Sequence, residues 1–392
     1  MMKVNQNKVL ILLVLTILIG GCATVKQRTP LPEALSPMAE IPGISMTRFW
    51  GDEPVPYTEE WLQLPKAELQ ANYPAMFGKA HTYLAISGGG ANGAFGAGLL
   101  LGWSARGDRP EFTIVTGIST GALTAPFAFL GSDYDVQLEE MYTTVSTKDI
   151  VRKRPLLEIL TGDSAVSIEP LKNLLAKYVD RELMLAIAAE HRKGRRLWVG
   201  TTHLDAGRPM VWNIGRIASS ENDKALDLIQ KILLASASIP GAFPPVFFEV
   251  EAEGARYDEM HMDGGAASQV FLYPTGVDWS RLVEKLEVKD PPSAYIIRNS
   301  RLDPVWKTVK PKLAPIAGRT IDSLIRTQGL GDMYRIYLSA EQEGIDFNLA
   351  YIPGDFKEEP KEAFDPDYMG KLFDLGFRTA KSGDVWVKTE PG

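Results

Sequence analysis

The chain has 392 residues, 45% of them hydrophobic and 23% charged, the balance of a globular protein with a large core and not of a disordered one. A formal net charge of −7 and a pI of about 5.4 give no global attraction for nucleic acid. A single cysteine excludes an intramolecular disulfide and a cysteine-based metal cluster.

The first segment reads as a targeting signal. Lys3 and Lys8 precede an apolar run, residues 9–19, broken only by Thr16, and Gly20 and Gly21 then lead into Cys22. The run fits the ~7–15 residues of a signal h-region and falls short of the ~20 that cross a bilayer. The stretch "IGGC" resembles the lipobox of bacterial lipoproteins. That resemblance implies removal of residues 1–21, lipidation of Cys22 as the mature N-terminus and anchorage in the cell envelope. Ala23 follows where aspartate would retain a Gram-negative lipoprotein inside, which implies the outer membrane. An ordinary signal peptide or short anchor with an accidental cysteine is the alternative. Residues 22–80 read as a lipidated N-terminus and a semi-extended tether, with Pro30, Pro32, Pro37, Pro42, Pro54 and Pro56. Within it "TEEWLQLPKAELQ" has the pattern of short helical turns.

Regular alternation starts near His81, and residues 81–392 read as one catalytic-sized domain. "TYLAIS" is a buried strand, followed by glycines and a helix through Trp103. "FTIVTGIS" is a strand and "TGALTAPFAFL" a helix. "DVQLEEMYTTV", "EPLKNLLAKYV" and "RELMLAIAAEHRK" are amphipathic helices. "RRLWVGTTHL" and "MVWNI" pair across the turn residues "DAGRP". "DKALDLIQKILLASAS" is a helix ending before Pro240, "YIIRN" and "DFNLAYIP" are later strands, and "PDYMGKLFDLGFRTAKS" closes the chain as a helix. Strands and helices in alternation predict a three-layer α/β/α domain around a largely parallel sheet.

The stretch "YLAISGGGANGAFGAGLLLGW" raises the chemical question. Gly88, Gly90 and Gly93 satisfy G-x-G-x-x-G between a strand and a helix, the context of a dinucleotide site. The acidic residue such a site needs at the end of the second strand is missing: that strand ends in Thr116 and Gly117, and Glu111 lies at its start. The next motif favours another use. "GISTG", residues 117–121, is G-x-S-x-G, in which Gly117 and Gly121 permit the sharp strand-to-helix turn that exposes a serine, here Ser119. One strand end then offers a nucleophile and its neighbour offers backbone N–H groups for an oxyanion. For a base the residues leave two candidates near one another, His261 and Asp263 in "EMHMDGGAAS". His81, His191 and His203 lie before a strand, in the charged stretch "EHRKGRR" and at a strand end.

Four motifs now stand in order: "GGGANG", "GISTG", "ASASIPGAFPP" (residues 235–245) and "DGG" (residues 263–265). Together they resemble the patatin-like phospholipases. The resemblance implies a Ser–Asp dyad without histidine, with Ser119 as nucleophile and Asp263 as base. Gly88, Gly89, Gly90, Ala91 and Gly93 would form the oxyanion loop, with neither metal nor soluble cofactor. The implied substrates are acyl esters of phospholipids or lysophospholipids, met at a membrane. One position departs from the family: Asn92 stands where G-G-G-x-R-G has a cation. Two other readings remain open at this point, a Ser–His–Asp esterase using His261 and a non-catalytic envelope lipoprotein that binds lipid or a partner. "LLEIL" and "LLLGW" have the composition of an acyl channel or of core, and "RKR" (residues 152–154) that of a headgroup contact or a solvated face.

Overall fold

Eleven strands form among the described residues of the computed structural model, which are 28–56, 58–155, 164, 166–273 and 278–391, and the central ones are the apolar runs of the sequence. The leader, Cys22 and "LLEIL" lie outside them. In chain order the strands are β1 Arg48–Trp50, β2 Thr82–Ile86, β3 Ile114–Ile118, β4 Arg152–Lys153, β5 Val166–Ser167, β6 Arg196–His203, β7 Arg208–Asn213, β8 Val246–Ala252, β9 Ala255–Asp263, β10 Ser293–Arg298 and β11 Asp346–Tyr351. Nine of them form one sheet along the path β1-β7-β6-β3-β2-β10-β11, with β9 also on β6 and β8 on β9. β6, β3, β2, β10 and β11 run parallel, and β7 and β1 add an antiparallel edge. β4 and β5 make a separate short ladder.

Side chains alternate across the pleat, so each strand feeds two cores. Leu84, Ile86, Val115, Leu197, Val199 and Ile297 face one, shared with the helices Gly93–Arg106, Thr120–Leu130, Ala225–Ser236 and Pro366–Ser382. Tyr83, Ala85, Ile114, Trp198, Ala294 and Ile296 face the other, closed by Met333, Ile336 and Ala340 of the helix Leu313–Glu343. This is the three-layer α/β/α arrangement expected from the alternation. "LLLGW" belongs to the first core, with Leu99, Leu100 and Trp103 buried.

Three features differ from the sequence reading. The segment expected as a tether is docked from residue 28 onward. Arg28 pairs with Asp205 and Asp258, β1 pairs with β7, and Ile41, Ile44, Phe49 and Leu69 are buried. Proline spacing describes an extended chain but does not say whether a neighbouring surface takes up its apolar residues. The β8–β9 hairpin is an addition to the expected strands: "VFFEVEA" alternates, and Glu253 and Gly254, both at positive φ, make its turn. The helix Leu313–Glu343 is a further addition, and it forms although Pro315 and Gly318 lie in its first turns.

The sheet register prepares the site. On one edge of β6, β3 pairs with Arg196–Gly200, and β9 takes over antiparallel at Thr201, Thr202 and His203. β7 occupies the opposite edge. β3 and β9 therefore meet nearly end to end, and the residues just past each end, from different parts of the chain, are brought face to face.

Candidate active site

β3 ends at Ile118 and the helix Thr120–Leu130 begins at Thr120, leaving one residue for the reversal. That residue is Ser119, with φ 55° and ψ −126°. An L-residue at this backbone geometry is strained, and such strain persists only where the surroundings impose it. They do so through the flanking glycines. A Cβ on Gly117 would stand 2.4 Å from the Gly121 carbonyl oxygen, and one on Gly121 would stand 2.2 Å from that of Ile86. The turn can be this tight only because both positions lack a side chain.

Asp263, the last residue of β9, faces Ser119. Ser119 Oγ donates to Asp263 Oδ2 at 2.6 Å, and the Gly265 N–H donates to Oδ1 at 2.7 Å. Both side chains are buried, Ser119 at 7% and Asp263 at 6% exposure. Burial pushes the Asp263 carboxyl up to about 6, and the hydrogen bonds from Ser119 and Gly265 pull against that rise.

The third motif holds both partners. The Ser119 N–H donates to Ser236 Oγ at 3.0 Å, and Ser236 Oγ donates to the Gly200 carbonyl at 2.7 Å. The Asp263 N–H donates to the Ser238 carbonyl at 2.9 Å. Thr202 Oγ1 donates to the Asp263 carbonyl, also at 2.9 Å. Sequence reasoning recognised "ASASIPGAFPP" only as a motif. The hydroxyls at the end of a helix of apolar character were the available signal that something there is being held.

The glycine loop lies against the serine: a Cβ on Gly88 would be 3.1 Å from Ser119 Cβ. Its amides are not equivalent. The Gly88 N–H donates to the Gln269 carbonyl at 3.2 Å, and Gly93 N–H closes the turn onto Gly90 and Ala91. The first bond of that turn is donated by Asn92 to Gly89. The amides of Gly90 and Ala91 precede it, as the first N–H groups of any helical turn do, and the Gly89 N–H donates to no described group. Asn299, just past β10, pins the loop. Its Nδ2 donates to the Ser87 carbonyl at 3.0 Å, its Oδ1 accepts from the Gly96 N–H at 3.1 Å, and its own carbonyl would stand 2.4 Å from a Cβ on Gly89. Gln269 adds a second brace, with Nε2 donating to the Gly265 carbonyl at 2.5 Å and to Gln328 at 3.2 Å. Asn92 points elsewhere: its Oδ1 accepts from the Tyr368 hydroxyl at 2.8 Å, tying the loop to the last helix.

His261 shares a strand with Asp263 but not its contacts. It is fully buried, with Nδ1 2.9 Å from Thr201 Oγ1 and Nε2 3.3 Å from Glu259. Burial drops its pKa to about 4, against the opposing pull of Glu259. Both ring nitrogens are thus committed away from Ser119. His203, Glu259 and His261 bring ligand-type atoms within 4.8 Å of one another, the spacing of a metal group. The Arg48 guanidinium already grips Glu259, and a fixed positive charge there opposes a cation. Burial alone would raise Glu259, but hydrogen bonds from His203 and His261 and the charge of Arg48 hold it well below the usual carboxylate range. His191, read as part of a solvated face, is half-buried against Gly215.

These motifs and this geometry agree with the family comparison: residues 84–275 match the model of the patatin-like phospholipases. Residues 84–275 are a patatin-like phospholipase domain. No curated protein matches the chain. Among solved structures, the crystal structure of VipD from Legionella pneumophila is similar at 12% identity and a TM-score of 0.36, over 77% of this chain. This chain spans 66% of that structure's length. The patatin-like domain contains Ser119, Asp263 and the glycine loop, while Asn299, Gln328 and Tyr368, which brace it, lie beyond the matched span.

A cavity of about 330 Å³ opens beside the pair, lined by Ile118 and Gly264 next to Ser119 and Asp263, by Val270, Phe271 and Ile336, and by Asp332 on one wall. It lies between the sheet and the helix Leu313–Glu343. A smaller aromatic-walled cavity, about 130 Å³, sits among Trp61, Tyr73, Trp198 and Trp279 at the start of the parallel strands, the opposite end from Ser119.

Proposed function

We propose that the protein is a membrane-tethered serine acyl hydrolase that cleaves acyl esters of phospholipids or lysophospholipids through Ser119 and Asp263. The observation that carries this reading is the 2.6 Å bond between a strained, buried serine and a buried carboxylate inside a patatin-like domain. Ser119 Oγ attacks the ester carbonyl carbon while its proton passes to Asp263. The N–H groups of Gly89, Gly90 and Ala91 receive the oxyanion. The tetrahedral adduct collapses, the bond to the alcohol breaks, and Asp263 returns its proton to the leaving oxygen. Water then gives its proton to Asp263 and attacks the acyl carbon; as the bond to Ser119 Oγ breaks, Asp263 passes that proton to Oγ, and the acid leaves. The reaction calls on no metal and no cofactor. In the cavity beside Ile118 and Gly264 an acyl chain would lie on the apolar wall of Val270, Phe271 and Ile336, with Asp332, Arg335 and Glu343 forming a polar wall.

The test is covalent labelling: a fluorophosphonate should modify wild-type protein at Ser119 and leave Ser119→Ala unmarked. Equal labelling of both would end this reading.

The base also sets a pH dependence. Asp263 must be ionised to accept the proton, and burial places its pKa at about 6. Hydrolysis of an uncharged soluble ester should therefore rise as pH climbs through about 6 and level off above it. A limb near the ordinary carboxylate value of ~4 would show a solvated Asp263 and a different base environment. A histidine base is expected near ~6.5 in water, so such a limb invites assignment to His261; His261, depressed to about 4, does not titrate there.

The tether is Cys22 in the lipoprotein reading, with the bacterial cell envelope, at its outer membrane, as the location. Cys22→Ala should abolish lipid labelling and move the protein out of the detergent phase or leave its leader uncleaved. One acyl chain binds only marginally, so anchorage needs the several chains of a lipoprotein N-terminus. Unchanged lipid incorporation in the mutant would count against lipidation at this residue.

A further inference from the structure

The first half of the helix Leu313–Glu343 and the segment before it present an apolar surface to solvent. Trp306 is 96% exposed, Leu313 86%, Leu324 65%, Ile321 53% and Ile316 50%. At about 100° per residue, Leu313, Ile316, Ile321 and Leu324 fall within one side of the helix. A solvent-facing helical side is normally polar. Packing does not explain these residues either: Met333, Ile336 and Ala340, which hold the helix to the sheet, all lie in its second half.

The charge of this surface opposes that of the protein. Residues 301–326 contain six basic residues (Arg301, Lys307, Lys310, Lys312, Arg319 and Arg326) against Asp303 and Asp322, in a chain whose formal net charge is −7. Lys312, Arg319 and Arg326 are spaced by seven and run as a line along the edge of the apolar stripe. Arg319 and Arg326 also donate to the carbonyls of Val305 and Leu302, which holds the Trp306 segment alongside the helix. A tryptophan, aliphatic residues and a flanking line of cations are the pattern of a helix lying in a membrane interface.

The surface stands at the mouth of the site. Gln328 and Asp332, one and two turns beyond Leu324, bond to Gln269, whose carbonyl accepts from Gly88 in the glycine loop. Counted at ~1.5 Å per residue from Gln328 back to Leu313, the exposed half projects about 22 Å from there.

We propose that residues 305–325 dock on the surface of an anionic phospholipid bilayer, with Trp306, Leu313, Ile316 and Leu324 in the interface and the lysines and arginines among the headgroups. The docking turns the site mouth toward its substrate, a consequence that rests on the hydrolase reading above. A second copy of the chain is the poorer occupant, since it would bring two basic segments together. A lipidated Cys22 would keep the protein near a membrane, whereas this surface fixes which side of the domain meets it.

The test is hydrogen exchange on the full chain, mixed with vesicles of phosphatidylglycerol or of phosphatidylcholine. Protection of residues 302–326 is expected on phosphatidylglycerol alone and should fade with added salt. Each basic residue near an anionic surface strengthens binding by about fivefold, so Lys307→Gln, Lys310→Gln and Lys312→Gln combined should weaken the protected state about 100-fold. Trp306→Ser with Leu324→Ser should lose protection and slow hydrolysis of phosphatidylglycerol vesicles while leaving a soluble short-chain ester untouched. Equal protection on phosphatidylcholine, no protection on either, or protection that grows with protein concentration without lipid would each overturn the proposal. Failure of the wild type on the soluble ester would instead sink the hydrolase reading, with docking still decided by exchange.

Discussion

Ser119→Ala should lower kcat/KM on a soluble ester by about 10⁴–10⁶-fold, the scale seen when a catalytic serine is removed from a hydrolase. The fold should survive. Alanine keeps the Cβ, so the backbone strain at φ 55° and ψ −126° is unchanged, and Ser236 still accepts from the residue 119 N–H. Ser119→Gly gives the same loss of activity for the same chemical reason but a different thermal result. Glycine adopts this geometry without strain, so its Tm should exceed that of Ser119→Ala, by an amount within the ~1–3 kcal/mol that such strained residues store. Measuring activity and Tm on the three proteins separates the two effects. Activity near wild type in either variant would remove Ser119 as nucleophile, and a glycine variant less stable than the alanine one would show that the turn is not strained.

The second large effect is a contrast between two residues of one strand. Asp263→Asn should reduce activity nearly as far as Ser119→Ala, since an amide holds the geometry but takes no proton. It should also stabilise the protein at neutral pH. A carboxyl whose pKa is raised from 3.8 to about 6 in the folded state binds its proton more tightly there than when unfolded. The ionisation part of its burial cost is absent below pH ~3.8, where it is protonated in both states. The cost grows between the two values and is fully present above pH 6, at about 3 kcal/mol for a two-unit shift. The stability advantage of Asp263→Asn should therefore appear between those pH values and persist above them, which a series of melting curves would read. A carboxylate kept ionised against its own desolvation would, in the proposed reaction, trade stability for activity.

His261→Ala should behave in the opposite way. It removes a fully buried ring packed against Trp212 and Phe248 and bonded to Thr201 and Glu259, a change on the scale of ~2–4 kcal/mol in stability. Activity per folded molecule should remain substantial, because neither ring nitrogen meets Ser119. The double variant with Asp263→Asn should match Asp263→Asn in activity. Should folded His261→Ala be as inert as Ser119→Ala, the dyad assignment is wrong and histidine chemistry returns.

Much of the site was legible because its requirements are local. The glycines of "GGGANG" and "GISTG" are set by backbone approach within a few residues of the turn, and such needs leave a sequence trace. The layer architecture was legible for the same reason, since period-2 and period-3.6 patterns are properties of short windows. Asp263 was different. It lies 144 residues from Ser119 in the chain, and two residues from a histidine with better chemical credentials. Only the order of four motifs pointed to the aspartate.

What the amino-acid sequence determined by itself is therefore the presence of a strand-turn-helix serine, a glycine loop beside it and an α/β sheet to carry them. The tertiary structure decided which titratable group reaches that serine and at what pH it titrates. β9 docks on β6 where β3 ends, turning Asp263 to the serine and His261 toward Thr201 and Glu259. Burial then moves the two pKa values in opposite directions, the acid upward and the imidazole downward, to about 6 and about 4. It also decided which loop amides are already spent, Gly88 on Gln269, and that the proline-rich segment from residue 28 lies on the domain. The physical reason is common to all of these. Propensity and turn chemistry act between near neighbours in the chain, whereas desolvation and hydrogen-bond competition depend on which distant segments exclude the water.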